Sequence, residues 1–229
     1  AALQDYNRAV IVGSTQSFGK GTVQNVIDLN RFLSNSQFDL GALKITTDKF
    51  YRINGGSVQV EGVKSDITIP NRLSFIPIGE NDEKNPLKWD QIDSANYEKW
   101  NGYYNLNEVI NSGNDQIKKN KFALLVKENA KWIASKQNPK SLTLNYIDYK
   151  KSQEDDKNYL TKFEGIKNYK NDLEFEFITN EEDAIENSKE ILEIRKKKKK
   201  GLQSDFQLNE GLKVLENLKL RIINKKSII

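Results

Sequence analysis

One short stretch of this chain carries residue types whose spacing could do chemistry: Phe18-Gly19-Lys20-Gly21-Thr22-Val23-Gln24. It follows an apolar run, Arg8-Ala9-Val10-Ile11-Val12-Gly13, and a polar loop, Ser14-Thr15-Gln16-Ser17. Glycines allow close backbone approach or a positive φ. A lysine held between two of them can be desolvated, and a neutral amine can act as general base toward a hydroxyl nucleophile. The stretch is not a phosphate-binding loop, because Lys20 leads into a strand-like run rather than into a helix. From the residues alone the tripeptide is weak evidence for chemistry, because most Gly-Lys-Gly stretches are exposed structural turns.

Composition narrows the chemistry further. The 229 residues contain no His and no Cys. A Ser-His-Asp triad, a Cys nucleophile and the usual His/Cys zinc sites are therefore excluded within this chain. Asp, Glu, Lys and Tyr remain for acid and base work. Charged residues make up 30% of the chain, yet the net charge is only +4. That balance does not provide the bulk field of a nucleic-acid binder. No apolar run reaches the length of a membrane span.

The elements that would position Lys20 are short strands. Ala9 to Gly13 reads as a buried strand, Gly21 to Leu29 as a β-branched strand, and Leu43 to Thr47 as an alternating one. The last runs on through Phe50-Tyr51-Arg52-Ile53 to a turn at Asn54-Gly55-Gly56. Val58-Gln59-Val60 then reads as the returning arm of a hairpin. A further short strand is expected at Ile67-Thr68-Ile69. Ala1-Ala2-Leu3-Gln4-Asp5-Tyr6 reads as the last turns of a helix, and the chain has no Met. Both features fit a piece of a larger protein; a processed natural N-terminus is the alternative.

A charged, Pro-bounded linker follows at 81–86. Beyond it the periodicity is helical. Phe122, Leu125, Val126, Ala130 and Ile133 fall on one face, as do Ala184, Ile185, Ser188, Ile191 and Leu192. Leu208, Leu212, Leu215, Leu218 and Ile222 form the cleanest amphipathic set. The run Lys196 to Lys200 follows Glu181, Glu182, Asp183, Glu186, Glu190 and Glu193, the polarity that suits a helix dipole. It reads as a solvated helix end rather than a phosphate-binding patch, so no nucleic-acid partner is expected. Trp89, Trp100 and Trp132 read as core.

The stretches 2–13 and 18–24 together resemble the carboxyl-terminal processing peptidases, most closely the tail-specific protease branch. Lys49-Phe50-Tyr51-Arg52-Ile53-Asn54-Gly55-Gly56-Ser57-Val58-Gln59, Gly62-Val63-Lys64-Ser65-Asp66-Ile67 and Leu87-Lys88-Trp89-Asp90-Gln91-Ile92-Asp93 resemble that branch in order and spacing. The resemblance implies that Lys20 is the general base of a Ser/Lys dyad, its amine made neutral by burial, since an ammonium cannot accept a proton. It implies that Gln24 orients the lysine; in an extended segment 20–24 the two side chains share a face. It places Asp5 in the active-site group, either supporting the nucleophile's helix or as a plain solvent-facing acid.

The same resemblance puts the nucleophilic serine further upstream than the nineteen residues that precede Lys20 here. Neither Ser14 nor Ser17 matches it, and no PDZ domain is recognisable. The expected fold is α+β: residues 1–80 as the C-terminal portion of an α/β serine-peptidase core, then a mostly helical accessory domain over 87–229. The expected activity is endoproteolysis of proteins recognised by apolar C-terminal tails, in the bacterial periplasm or cell envelope, without metal or cofactor. The chain alone is expected to be inactive, to need the upstream part of the same enzyme as partner, and to be capable of dimerising. The alternative is a non-catalytic binding or scaffold module with a helical docking domain.

Overall fold

The computed structural model describes residues 1–32, 38–137, 139, 141–176 and 189–222. Helices and short strands are segregated along the chain, so the fold is α+β as expected. Two compact units are present: residues 1–66 with 76–101, and residues 67–75 with 102–229.

The first unit opens on helix α1 (Ala2–Asp5). Asn7 stops it in the left-handed region, at φ 54. The Arg8 amide donates to the Leu3 carbonyl at 2.8 Å, and the Asn7 amide to the Gln4 carbonyl at 3.0 Å. This is the double closure that an αL residue just past a helix end permits, and Asn tolerates that conformation better than most residues. Of the strand expected over 9–13, only Val12–Gly13 (β1) is formed, and it is half-buried. Strands β2 (Thr22–Asp28) and β3 (Ala42–Lys49) make an antiparallel pair. Their register slips between Val23 and Gln24, which face Asp48 and Thr46. Thr47 is the extra residue, and its hydroxyl accepts from the Asn25 side chain at 2.9 Å.

Residues 51–57 form the expected turn, with Gly55 at φ 87. The returning arm differs from the sequence reading. Tyr51 and Ser57 make a single bridge, and Val58-Gln59-Val60 curls into a second turn instead of a strand. The reason is that residues 59 and 60 bond to the loop around Lys20, not to residues 50–53.

The second unit holds β4 (Ile67–Thr68) and helices α2 (Leu106–Lys119), α3 (Lys121–Gln137), α4 (Tyr146–Thr161), α5 (Glu164–Lys167), α6 (Lys189–Gln203) and α7 (Phe206–Lys219). Its core gathers Ile67, Ile69, Val109, Ile117, Ala123, Val126, Ala130, Phe163, Phe206 and Leu218. Gly113 lets α2 lie close over Ile67: a Cβ there would fall 2.4 Å from the Ile67 Cδ1. The face expected on α3 is the one that packs. On α7 the expectation holds only in part, since Leu215 and Ile222 are exposed. Phe206 and Glu210 take the inward positions instead, with Phe206 packed edge-on against Tyr169 and tilted against Phe122. Ala184, Ile185 and Ser188, with Glu181, Glu182, Asp183 and Glu186, lie outside the described residues. Lys196 pairs with Glu193 at 3.1 Å along α6.

Candidate active site

Lys20 sits at the head of β2 with its side chain exposed. Among the described residues its ammonium has no ion pair or hydrogen bond. Main-chain groups on both sides of it, by contrast, are held. The Gly19 carbonyl accepts from the Val60 amide at 2.8 Å, and the Phe18 carbonyl accepts from the Glu80 amide at 2.8 Å. The Gly21 amide donates to the Gln59 Oε1 at 2.8 Å, and the Gly21 carbonyl accepts from the Phe50 amide at 3.1 Å. Both glycines are needed for this approach. Gly19 has φ 91, and a Cβ on Gly21 would lie 2.8 Å from the Gln59 backbone nitrogen. The loop is therefore fixed in its backbone while the lysine head is left open.

Gln59 is fully buried and was not singled out by sequence reading. Its Nε2 donates to the Glu80 Oε1 at 2.9 Å, and Glu80 is itself buried. The signal was a Gln between Val58 and Val60, a polar residue inside an apolar run. Ser57, also buried, receives the Gln59 amide on its hydroxyl at 3.0 Å. The Ser57 carbonyl accepts from the indole N–H of Trp89 at 2.8 Å.

Asp5 is buried, which sets aside the solvent-facing reading. Arg52 reaches it with two parallel bonds, Nη2 to Oδ1 at 2.6 Å and Nε to Oδ2 at 2.9 Å. Asn54 Nδ2 adds a third at 3.3 Å. The same Arg52 Nη2 also donates to the Gln4 Oε1 at 3.0 Å. Gln4 Nε2 donates onward to Asp66 Oδ1 at 2.8 Å, and Asp66 Oδ2 accepts from the Ile11 amide at 2.7 Å. One polar network thus joins α1, the turn at residues 52–54 and the segment before β1. The bond to Asp5 raises the pKa of Arg52 further above its ordinary value.

Gln24 is half-buried in β2, and no hydrogen bond joins it to Lys20 among the described residues. Asp5 likewise is engaged by Arg52 and not by Lys20. Ser17 spends its hydroxyl as acceptor for the Val63 amide at 2.9 Å. Among the described residues no group of three or more His, Cys, Asp or Glu is placed to hold a metal ion.

Comparison with known proteins decides what this arrangement belongs to. Residues 73–219 match the C-terminal domain of tail-specific protease, and residues 1–69 match peptidase family S41. The chain belongs to the tail-specific protease family. It is 39% identical to the tail-specific protease of Haemophilus influenzae over 150 residues, covering 64% of this chain and 21% of that protein. It is also 38% identical to a carboxy-terminal-processing protease of Bartonella bacilliformis over 96 residues, covering 39% of this chain and 20% of that protein. The chain thus matches about a fifth of the length of each relative. The family is one of proteases, and the Lys20 loop and the Arg52–Asp5 network both fall within the part matched to the peptidase family.

Proposed function

We propose that this chain forms the C-terminal part of a serine-type endopeptidase of the tail-specific branch, with Lys20 as the general base. The observation that carries this reading is the Lys20 loop: four main-chain groups flanking the lysine are clamped, and its amine is left free of any carboxylate partner among the described residues. A base needs such a place, because an acidic partner would stabilise the ammonium that cannot accept a proton. In the reaction the hydroxyl of a serine from the upstream part attacks the scissile carbonyl, and Lys20 Nζ takes its proton. The lysine then gives that proton to the leaving amine, and a water molecule hydrolyses the acyl-serine with the same amine as base.

In this reading the upstream part also supplies the cover that makes Lys20 neutral, and Gln24 turns toward the lysine when that cover is in place. Asp5, locked by Arg52, fixes the end of the helix that leads back toward the nucleophile. Substrates are proteins with apolar C-terminal tails, met in the periplasm or cell envelope, and no cofactor is required.

The exposure of Lys20 in this chain favours one other reading, a non-catalytic binding or scaffold module. The two separate in the full-length protein. An unfolded protein with an apolar C-terminus is incubated with the intact enzyme and with Lys20→Ala. Cleavage that vanishes with the lysine supports the Ser/Lys peptidase; unchanged cleavage removes Lys20 from the mechanism. A folded protein that cleaves in neither form is the scaffold.

A further inference from the structure

We propose that Gln59 and Glu80 are a positioning pair for the Lys20 loop, acting on kcat through the main chain on either side of the base. The proposal rests on the reading of Lys20 as general base.

The argument begins with donors and acceptors. The Gly21 amide can only donate, and a Glu80 carboxylate can only accept. A side chain that joins the two must accept at one end and donate at the other, without charge of its own. Gln59 does this in a single orientation, Oε1 to the Gly21 amide at 2.8 Å and Nε2 to Glu80 at 2.9 Å. Flipping its amide would set oxygen against carboxylate and N–H against N–H. Gln59 is fully buried, so neither bond has water as a substitute, and a broken bond leaves an unsatisfied buried group. Glu80 closes the arrangement with its own amide on the Phe18 carbonyl at 2.8 Å. Residues 18, 19 and 21 are thus held from residues 59, 60 and 80, while the side chain of residue 20 is left free among the described residues. Among those residues Glu80 has no cation partner. A buried acid satisfied by an amide is costly as a mere packing element, but apt as a fixed anchor.

A reacting group displaced by about 1 Å can lose on the order of 100-fold in rate. The test uses the full-length enzyme with Lys20→Ala, Gln59→Glu, and the double variant Gln59→Glu with Glu80→Gln. The single Gln59→Glu sets two carboxylates face to face, and above the pH at which the pair would share a proton their repulsion displaces the loop, so activity is compared there. The double variant re-forms both bonds, the second with its direction reversed. The carboxylate introduced at position 59 then accepts from the Gly21 amide and from the side-chain amide introduced at position 80. We expect Gln59→Glu to lower kcat about 10- to 100-fold with KM changed less than about threefold, and to move the acidic limb of its pH profile. The double variant is expected to recover most of that loss and the original limb. Melting temperatures separate misfolding from misplacement. Should Gln59→Glu fail to fold, Gln59→Asn, one methylene too short to bridge, is read in the same way.

Unchanged kcat in a folded Gln59→Glu overturns the proposal, and so does a double variant that folds like the parent without regaining activity. If Lys20→Ala abolishes cleavage while Gln59→Glu does not lower it, the base reading stands and the positioning pair falls. If Lys20→Ala cleaves normally, the base reading itself falls, and the pair with it.

Discussion

Arg52 grips Asp5 through two parallel bonds of 2.6 and 2.9 Å, with the carboxylate side chain only 5% exposed and the guanidinium 18%. The planar fork of the arginine matches the carboxylate geometry, which a lysine cannot do. α1 has only four residues and could not hold its place by helix energetics alone. Its position is set by this pair and by the Gln4–Asp66 bond beside it.

Removing Arg52 strands a buried charge. Arg52→Ala is therefore expected to destabilise the first unit by about 3 kcal/mol, and Arg52→Lys by about half of that, because one bond survives in place of two. Urea unfolding followed by tryptophan fluorescence reports it, since Trp100 lies under the Arg8 guanidinium at 4.0 Å within the same unit. An Arg52→Ala chain as stable as the parent would leave α1 held by something else.

Lys49 and Asp90 predict a pH window. The hydrogen bond from Lys49 Nζ, 2.9 Å long, holds the Asp90 carboxyl below its ordinary 3.8; Tyr51 adds a weaker bond in the same direction. The same Asp90 bond raises Lys49 above 10.5. A depressed carboxyl contributes its stability above the unfolded value and loses it as pH falls through the folded one. A raised lysine contributes below 10.5 and loses it as pH rises through its folded value. Asp90→Asn should thus be less stable than the parent across the neutral range and converge with it in acid. Melting temperatures of the two chains across pH are the measurement, and parallel curves would count against the pair. Asp90 Oδ1 is sealed from solvent and has no hydrogen-bond partner among the described residues, so Oδ2 carries both bonds.

Gly55 closes the turn that carries Arg52 and Asn54. It has φ 87, and a Cβ there would lie 2.1 Å from the Ile92 carbonyl oxygen, a backbone atom that cannot swing aside. Gly55→Ala is expected to cost about 2–3 kcal/mol from strain and displacement together. It should also loosen Asp5, visible as faster amide exchange at Asn7 and Arg8. Slow exchange with unchanged stability would mean that the turn adapts.

In the second unit, Gly113 and Ile67 should be coupled. Gly113→Ala places a methyl 2.4 Å from the Ile67 Cδ1, in a site where Ile67 is wholly buried, at an expected cost of about 1–3 kcal/mol. Ile67→Val removes that same Cδ1 and alone costs about 1 kcal/mol. The double variant should therefore be more stable than the sum of the two predicts, and a double-mutant cycle measures the difference. Strict additivity would show that the helix shifts instead.

The sequence by itself determined the local features. Ala1 to Tyr6 was legible as a helix end, Thr22–Asp28 and Ala42–Lys49 as strands, and Asn54-Gly55 as a turn, because backbone preference and side-chain alternation act over a few residues. The Gly-Lys-Gly motif and its setting were legible for the same reason, and they carried the family. Only the tertiary structure decided the partners. Asp5 finds Arg52 across 47 positions, and Gln59 finds Gly21 across 38 and Glu80 across 21. No short-range rule couples residues so far apart. Val58-Gln59-Val60 shows the conflict most plainly. Its alternation reads as a strand, yet a buried amide whose oxygen and nitrogen both need partners outweighs β propensity, and the segment turns so that the oxygen meets the Gly21 amide and the nitrogen meets Glu80.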